Sequence, residues 1–279
     1  MNLSALYDPL PDPAAYLERI QCDFSNSLNK AYLDHLIFQH QLLIPFENLD
    51  IIPGGRLISL EIPDLYRKIV RKKRGGYCFE LNSLFFSLLT ALGYQAYPVL
   101  CKVLEGSDPY YPALHRATVV RIGDSSYYCD VGFGGPVPGG ALEIQTLHPE
   151  KIAMDTYRLV SLPHQWLQLE RLSKGRYVPM LRICLQPQDP ADFLALSHYC
   201  CCQAQEEFNH FTEGMLLNIR LRNGYAALNG PFLQVVNGDE NSCIQKRIHE
   251  KEEMDQVLTQ IFRLPEHLLD HLTQNEIRP

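Results

Sequence analysis

One cysteine in the first third of the chain stands where it could act as a nucleophile. Cys78 follows Arg74-Gly75-Gly76-Tyr77 and opens an apolar segment with helical spacing. A helix N-terminus presents unpaired N–H groups and the positive end of the dipole, and both lower the pKa of a thiol. Cys78 is therefore a candidate nucleophile, although a free cysteine is more often an inert core residue.

A thiolate nucleophile needs a base, and the base needs a group that orients it. His115 lies in an apolar, β-branched segment after Cys78, and Asp130 closes the next such segment. The turn signal Gly123-Asp124 between the two segments predicts a hairpin that brings His115 beside Asp130. Taken separately, His115 could be a hydrogen-bonded histidine of the sheet, and Asp130 could cap a turn.

A glycine- and proline-rich segment over residues 132–140 follows Asp130 directly. Such a loop exposes backbone N–H groups and lets them approach a phosphate closely. It is not a nucleotide P-loop, because no Gly-Lys-Ser or Gly-Lys-Thr follows it. By itself the segment could equally be a plain turn.

The elements that must position these residues change character along the chain. Helical periodicity predicts helices over 13–22, 28–43, 59–73 and 78–92, with Gly93 ending the last one. Short β-branched and aromatic segments then predict antiparallel strands over 94–104, 114–122, 126–131, 157–162, 165–172 and 176–186. A helix over 192–205 leads to strands over 215–222, 225–228, 232–236 and 242–249, with a hairpin turn at Asn223-Gly224, and to helices over 250–262 and 266–273.

Composition excludes several classes of function. The 279 residues carry 25 Lys and Arg against 32 Asp and Glu, and this net charge of -7 argues against a nucleic-acid-binding protein. The most apolar stretch is too short and too polar to span a bilayer, and no signal-peptide pattern is visible, so we expect a cytoplasmic protein without membrane contact. The nine cysteines include no Cys-x-x-Cys pair, and we expect reduced thiols and no bound metal.

Together these residues resemble the arylamine N-acetyltransferase family. The resemblance covers nearly the whole chain, and its most specific parts surround Cys78 and follow Asp130. Next to His115 the sequence reads Leu-His-Arg-Ala, where the family more usually shows Thr-His-Met or Thr-His-Leu. The matching segments are Ile44-Pro45-Phe46-Glu47-Asn48-Leu49, Arg74-Gly75-Gly76-Tyr77-Cys78-Phe79-Glu80-Leu81-Asn82, Asp130-Val131-Gly132-Phe133-Gly134 and, more weakly, Phe208-Asn209 through Asn218 to Gly224-Tyr225-Ala226-Ala227-Leu228-Asn229.

The resemblance implies an α+β fold with a cysteine-protease-like core. Its parts would be an N-terminal helical bundle (1–92), a central antiparallel β-barrel (93–189), and a C-terminal linker helix and α/β lid (190–279). Cys78, His115 and Asp130 would match the catalytic triad of the family. Arg74 and Glu47 would pair as structural support beneath the active site.

The resemblance also implies a reaction. An acetyl group would pass from acetyl-CoA to a thioester on Cys78, and then to the nitrogen of an arylamine, arylhydrazine or arylhydroxylamine. No metal would take part. Coenzyme contacts would come from Gly132, Phe133, Gly134 and Gly135, and acceptor contacts from Phe46, Phe133 and Phe208.

Three other functions stay open at the level of the sequence. The same triad could serve an amide synthase that acts on a carrier-bound acyl chain. It could also serve a thiol hydrolase, which would release free acid without an amine acceptor. A binding module could keep the fold and leave Cys78 unreactive.

Overall fold

The computed structural model describes residues 2–52, 55–104, 112–146, 148–202, 210–212, 214–238 and 242–271. The chain folds as α+β, with a helical region, an eight-stranded antiparallel sheet, and a five-stranded antiparallel sheet near the C-terminus. Within these residues no helix is long and apolar enough to cross a membrane. The division of the chain at residues 92 and 189 stays a prediction.

The helical region follows its local signals closely. Its helices are α1 (Pro13–Arg19), α2 (Lys30–Leu43), α3 (Ile62–Tyr66) and α4 (Cys78–Leu92). Asp12 caps α1 by accepting the Ala15 N–H at 3.0 Å, and Gly93 ends α4 with φ 98°.

Two helix boundaries differ from the prediction. The predicted helix over 13–22 ends early, because the chain turns at Gln21 with φ 54°. The third helix begins at Ile62 rather than at residue 59, because Pro63 fits only in a first helical turn. It continues as a π-helical segment, Arg67–Arg71.

The eight-stranded sheet forms the expected barrel-like unit. Its spatial order is β5-β4-β3-β2-β9-β8-β7-β6, and the pairs formed by neighbouring strands are antiparallel. The interior is apolar and includes Val99, Tyr157 and Leu169. The strands are β2 (Gln95–Val103), β3 (His115–Ile122), β4 (Ser125–Cys129), β5 (Leu142–Glu143), β6 (Glu150–Ile152), β7 (Asp155–Leu162), β8 (Trp166–Ser173) and β9 (Arg176–Cys184).

The five-stranded sheet packs against the last helical turns of the chain. Helix α5 (Phe193–Cys202) connects it to the barrel, and α6 (Lys251–Gln256) continues as a π-helical segment, Val257–Ile261. The helix predicted over 266–273 is instead a 3₁₀ helix, Glu266–His271. The strands, in spatial order, are β1 (Phe46–Glu47), β10 (Leu216–Leu221), β11 (Gly224–Asn229), β12 (Phe232–Asn237) and β13 (Cys243–Arg247).

Helix α4 carries Cys78 and lies against strands β2 and β3 of the barrel. Strands β3 and β4 form the predicted hairpin, with Ile122 paired to Ser125 across the turn. The first residue of the helix and the ends of these two strands therefore meet in one place.

Candidate active site

The turn before Cys78 is fixed by backbone contact with residues 45–47. A Cβ atom on Gly75 would lie 2.1 Å from the Pro45 carbonyl oxygen, so only glycine fits there. Next to it, the Glu47 N–H donates a hydrogen bond to the Gly76 carbonyl at 2.9 Å. The two glycines thus let the chain pass close to β1 and then enter α4 at Cys78.

The N-terminus of α4 is also held from within the helix. A carboxylate oxygen of Glu80 accepts the Tyr77 N–H at 3.0 Å, which satisfies a donor that the helix leaves unpaired. Lys68 donates to the same carboxylate at 2.8 Å. Burial raises the pKa of Glu80 to about 7, although the Lys68 charge opposes the shift.

The predicted contact between His115 and Asp130 is present. His115 Nε2 lies 2.6 Å from Asp130 Oδ2, and both side chains are buried. This is the arrangement that fixes the tautomer of an imidazole and stabilises its positive charge.

Three further donors hold the Asp130 carboxylate. The Tyr128 hydroxyl donates to Oδ2 at 2.8 Å, while Asn82 Nδ2 and the Gly132 N–H each donate to Oδ1 at 2.9 Å. Burial alone would raise the pKa of Asp130, but the His115 charge and these hydrogen bonds hold it below its usual value. Asp130 is thus kept as a carboxylate beside the imidazole.

The sulfur of Cys78 contacts the main chain on both sides of His115. Its Sγ lies 3.9 Å from the Leu114 carbonyl oxygen, and the Arg116 N–H hydrogen-bonds to the sulfur from the other side. The structure therefore places the Cys78 sulfur against the backbone that carries His115, and the imidazole of His115 against Asp130. The catalytic roles of the three residues stay a prediction.

The expectation of a lowered thiol pKa is wrong for this structure. Burial raises the pKa of Cys78 well above its usual value, and the neighbouring Cys200 thiol and Asp130 carboxylate add to the shift. The N–H groups of Phe79 and Arg116 oppose it but do not outweigh desolvation. The helix N-terminus does not offset the effect of burial on the thiol pKa. Ionisation of the sulfur therefore requires transfer of its proton to a neighbouring base.

Asn82 ends a motif that the sequence analysis matched, but it was given no role there. Besides Asp130, its amide donates to the Arg116 carbonyl at 2.6 Å, and its Oδ1 accepts the Val131 N–H at 3.0 Å. It therefore fastens α4 to β3 and to the end of β4. Its position four residues after Cys78, on the same helix face, was the available signal. For Tyr128, the available signal was its position two residues before Asp130, since residues two apart in an extended chain point to the same side.

A buried ion cluster lies behind the helix start. Arg74 and Glu47 pair at 2.8 Å, as the family resemblance implies, and Arg74 also binds Asp50 at 2.9 Å. Lys68 joins the cluster by binding Asp50 and Glu80, each at 2.8 Å. The sequence analysis did not assign Asp50 or Lys68 to this cluster.

The loop after Asp130 is held by side chains from two other elements. Gln41 of α2 donates to the Asp130 carbonyl at 2.8 Å and to the Pro138 carbonyl at 3.0 Å. Arg220 of β10 in turn donates from Nε to Gln41 Oε1 at 2.5 Å and from Nη2 to the Val137 carbonyl. The loop therefore has a defined shape beside the catalytic residues.

A cavity of about 450 Å³ lies between this loop, the barrel and the five-stranded sheet. Phe133 lines it and also contacts His115, with ring centroids 5.8 Å apart in an edge-to-face arrangement. Three cationic side chains stand along its wall. The cavity thus joins an aromatic end near the triad to a cationic part, which contains Arg171, Lys174 and Arg220.

The predicted ligand contacts divide into three groups. Phe46, Phe133, Gly134 and Gly135 line the cavity. Gly132 instead packs against the helix start, where a Cβ atom would lie 3.0 Å from the Cys78 Cα. Phe208 lies outside the described residues.

Comparison with known proteins identifies the family. The N-acetyltransferase family model matches residues 30–268. An arylamine N-acetyltransferase / N-hydroxyarylamine O-acetyltransferase of Salmonella typhimurium is 30% identical over 197 residues, which cover 70% of this chain and 69% of that protein. The chain belongs to the arylamine N-acetyltransferase family.

Other members of the arylamine N-acetyltransferase family agree in sequence and in fold. Arylamine N-acetyltransferase 2 of Mesocricetus auratus is 29% identical over 278 residues, covering 90% of this chain and 93% of that protein. The solved enzyme structure from Salmonella typhimurium matches with a TM-score of 0.84 and 25% identity, covering 95% of this chain and 98% of that one. The chain is therefore an acetyltransferase.

Proposed function

We propose that this enzyme transfers acetyl groups from acetyl-CoA to arylamines in two steps, with a thioester on Cys78 between them. One observation carries the proposal: the sulfur lies against the main chain on both sides of His115, whose imidazole is bonded to Asp130. Cys78, His115 and Asp130 are all buried, and this arrangement supports their roles as nucleophile, base and orienting carboxylate.

In the first step the Cys78 proton moves to His115 and the sulfur attacks the thioester carbonyl. The new bond joins Sγ to the acetyl carbon, and the bond between that carbon and the CoA sulfur breaks. The proton on His115 leaves with CoA as its thiol. One thioester replaces another, so the step depends on positioning more than on driving force.

In the second step an arylamine nitrogen attacks the acetyl carbon on Cys78. An arylamine is uncharged at neutral pH, so its lone pair is available. His115 accepts the amine proton while the bond from carbon to Sγ breaks, and the proton then returns to Cys78. The backbone N–H of Cys78, at the start of the helix, is suited to stabilise the oxyanion in both steps.

The cavity suits both substrates. We assign the acceptor ring to Phe46 and Phe133, because aromatic walls beside the triad favour a flat apolar group. We assign the coenzyme to the loop at Phe133, Gly134 and Gly135, which line the cavity, and not to Gly132, which packs against the helix start. The cationic side chains along the same cavity fit its phosphate groups.

The proposal is tested by product analysis with a matched pair of cysteine variants. The enzyme is mixed with acetyl-CoA and 5-aminosalicylate, and N-acetylated amine and free acetate are separated and counted. Cys78→Ala should abolish N-acetylation, whereas Cys243→Ala should retain it, because Cys243 is an exposed cysteine outside the site. N-acetylation that survives in Cys78→Ala would contradict the proposal.

The same measurement separates the alternative functions. A thiol hydrolase would release acetate at the same rate with and without the amine. An amide synthase would leave the small arylamine unused and accept a long acyl chain. We expect one N-acetylated amine for each acetyl-CoA consumed.

A further inference from the structure

Arg116 is a buried cation whose side chain has no acidic partner among the described residues. It follows His115 in β3 and is 2% exposed. Its Nη1 donates to the Ser83 hydroxyl at 2.6 Å, but its Nε has no hydrogen-bond partner in the described part of the chain. Aromatic rings cover the guanidinium, with the Phe193 centroid 4.6 Å away. A charge buried in this way destabilises a fold, so folding alone does not explain it.

The position of Arg116 relates it to Cys78. Its N–H faces the Cys78 sulfur, its carbonyl accepts the Asn82 amide, and its guanidinium contacts Ser83. Ser83 lies five residues after Cys78, which is about 8 Å along the helix axis. The guanidinium lies on the α4 side of β3, because its Nη1 donates to Ser83 of that helix.

Among the residues that the structure describes, the other titratable groups around the sulfur do not supply a permanent positive charge. They are Tyr77 before the helix, Cys101 on β2, Asp130 after β4, Cys200 on α5, and His115 itself. The first four are neutral or negative, and His115 is positive only after it has taken a proton. Burial lowers the pKa of the Arg116 guanidinium to about 9, with the Cys78 charge opposing, so Arg116 remains charged at pH 7.

We propose that Arg116 is a positioning residue that acts through Cys78, its fixed charge stabilising the thiolate in both half-reactions. The inference rests on the proposed function, in which the sulfur is ionised twice. In the first step the charge favours the attacking thiolate. In the second it favours the same thiolate as leaving group.

The test measures the thiolate directly, without acetyl transfer. The rate of Cys78 alkylation by iodoacetamide is followed against pH by peptide mass mapping, in the whole enzyme and three variants. Arg116→Met removes the charge and keeps an apolar chain, and Arg116→Lys keeps the charge. Arg121→Met makes the same change at an exposed position of β3.

In Arg116→Met the midpoint of the pH profile should rise by about one unit or more, with an approximately tenfold lower rate at pH 7. Arg116→Lys and Arg121→Met should stay within about 0.3 unit of the parent. The melting temperature of Arg116→Met should be unchanged or higher, because an unpartnered buried charge is lost. This combination separates an electrostatic role from a structural one.

An unchanged pH profile in folded Arg116→Met would overturn the inference. The inference would also be overturned if Arg116→Met and Arg116→Lys lost reactivity and melting temperature equally, because equal losses would indicate that the side chain acts only through packing. Failure of the proposed function would look different: the shift would appear in alkylation, while acetyl-CoA left no acetyl group on Cys78.

Discussion

At the scale of single residues, the reactivity of Cys78 depends on its neighbours and not on its residue type alone. Cys78 alone is a buried thiol with a raised pKa, and becomes a plausible nucleophile only because His115 and Asp130 are next to it. The sequence predicted these three residues by type, order and the intervening turn. It did not predict that burial would dominate the thiol pKa, because helix position is a local feature and desolvation depends on the packing of distant segments.

Asp130 provides the prediction at this scale. Asp130→Asn should leave the fold intact and reduce kcat by about a thousandfold to ten-thousandfold, because an amide cannot hold the imidazole in the productive tautomer or stabilise its charge. Steady-state rates and circular dichroism of the purified variant check this. A folded variant with near-normal turnover would show that Asp130 is only structural.

At the scale of elements, the site is built where α4, β3 and the end of β4 meet. Local signals predicted these elements and their order, including the end of α4 at Gly93. They did not predict β1, because two residues are too few for an alternating pattern. They also did not show that Asn82 or Gln41 links elements, since a buried amide between segments leaves no periodic pattern. The elements could thus be predicted from the sequence, whereas the contacts that link them are known only from the structure.

Gln41 allows a test of one such link. Gln41→Leu removes the donors to the Asp130 and Pro138 carbonyls and the acceptor for Arg220. We expect a loss of unfolding free energy of about 2 kcal/mol or more, because buried polar groups lose their partners. Urea denaturation measures it. A variant as stable as the parent would show that the loop is held by other contacts.

The start of α4 predicts a pH effect. Glu80 has an ordinary pKa of 4.5 that burial raises to about 7, so between these values the folded state binds more protons than the unfolded chain. Stability should therefore fall as pH rises through this window, by about 3 kcal/mol in total. Asp50 and Asp130, whose pKa values are lowered, contribute only at more acidic pH.

Glu80→Gln isolates this effect, because the amide keeps an oxygen for the Tyr77 N–H and cannot titrate. Urea denaturation at pH 5 and pH 8 should show a clearly smaller difference in stability for the variant than for the parent. Equal differences would mean that the carboxylate titrates near its ordinary pKa.

At the scale of the whole molecule, a short segment around β1 helps to fasten the five-stranded sheet to the helical region. Strand β1 pairs with β10, and Asn48 next to it donates to the Phe211 and Gly214 carbonyls at 2.8 and 2.7 Å. The Asn48 Oδ1 also accepts the Leu216 N–H at 2.7 Å. The sequence placed Asn48 in a motif but gave no sign of this connection, which joins residues far apart in the chain.

Asn48→Ala should weaken that connection. Loss of three hydrogen bonds should cost about 2–4 kcal/mol in local stability of the five-stranded sheet. Hydrogen exchange should then become faster in β10 and β11 and remain unchanged in β8 and β9. Protection that stays the same in both sheets would contradict this account.

The central claim, that Cys78 carries the acetyl group, is tested most directly by intact and peptide mass spectrometry after mixing with acetyl-CoA alone. We predict one adduct of about 42 Da on the peptide containing Cys78, absent in Cys78→Ala and removed when an arylamine is added. An adduct confined to another cysteine, or no adduct in an enzyme that still acetylates the amine, would contradict the claim.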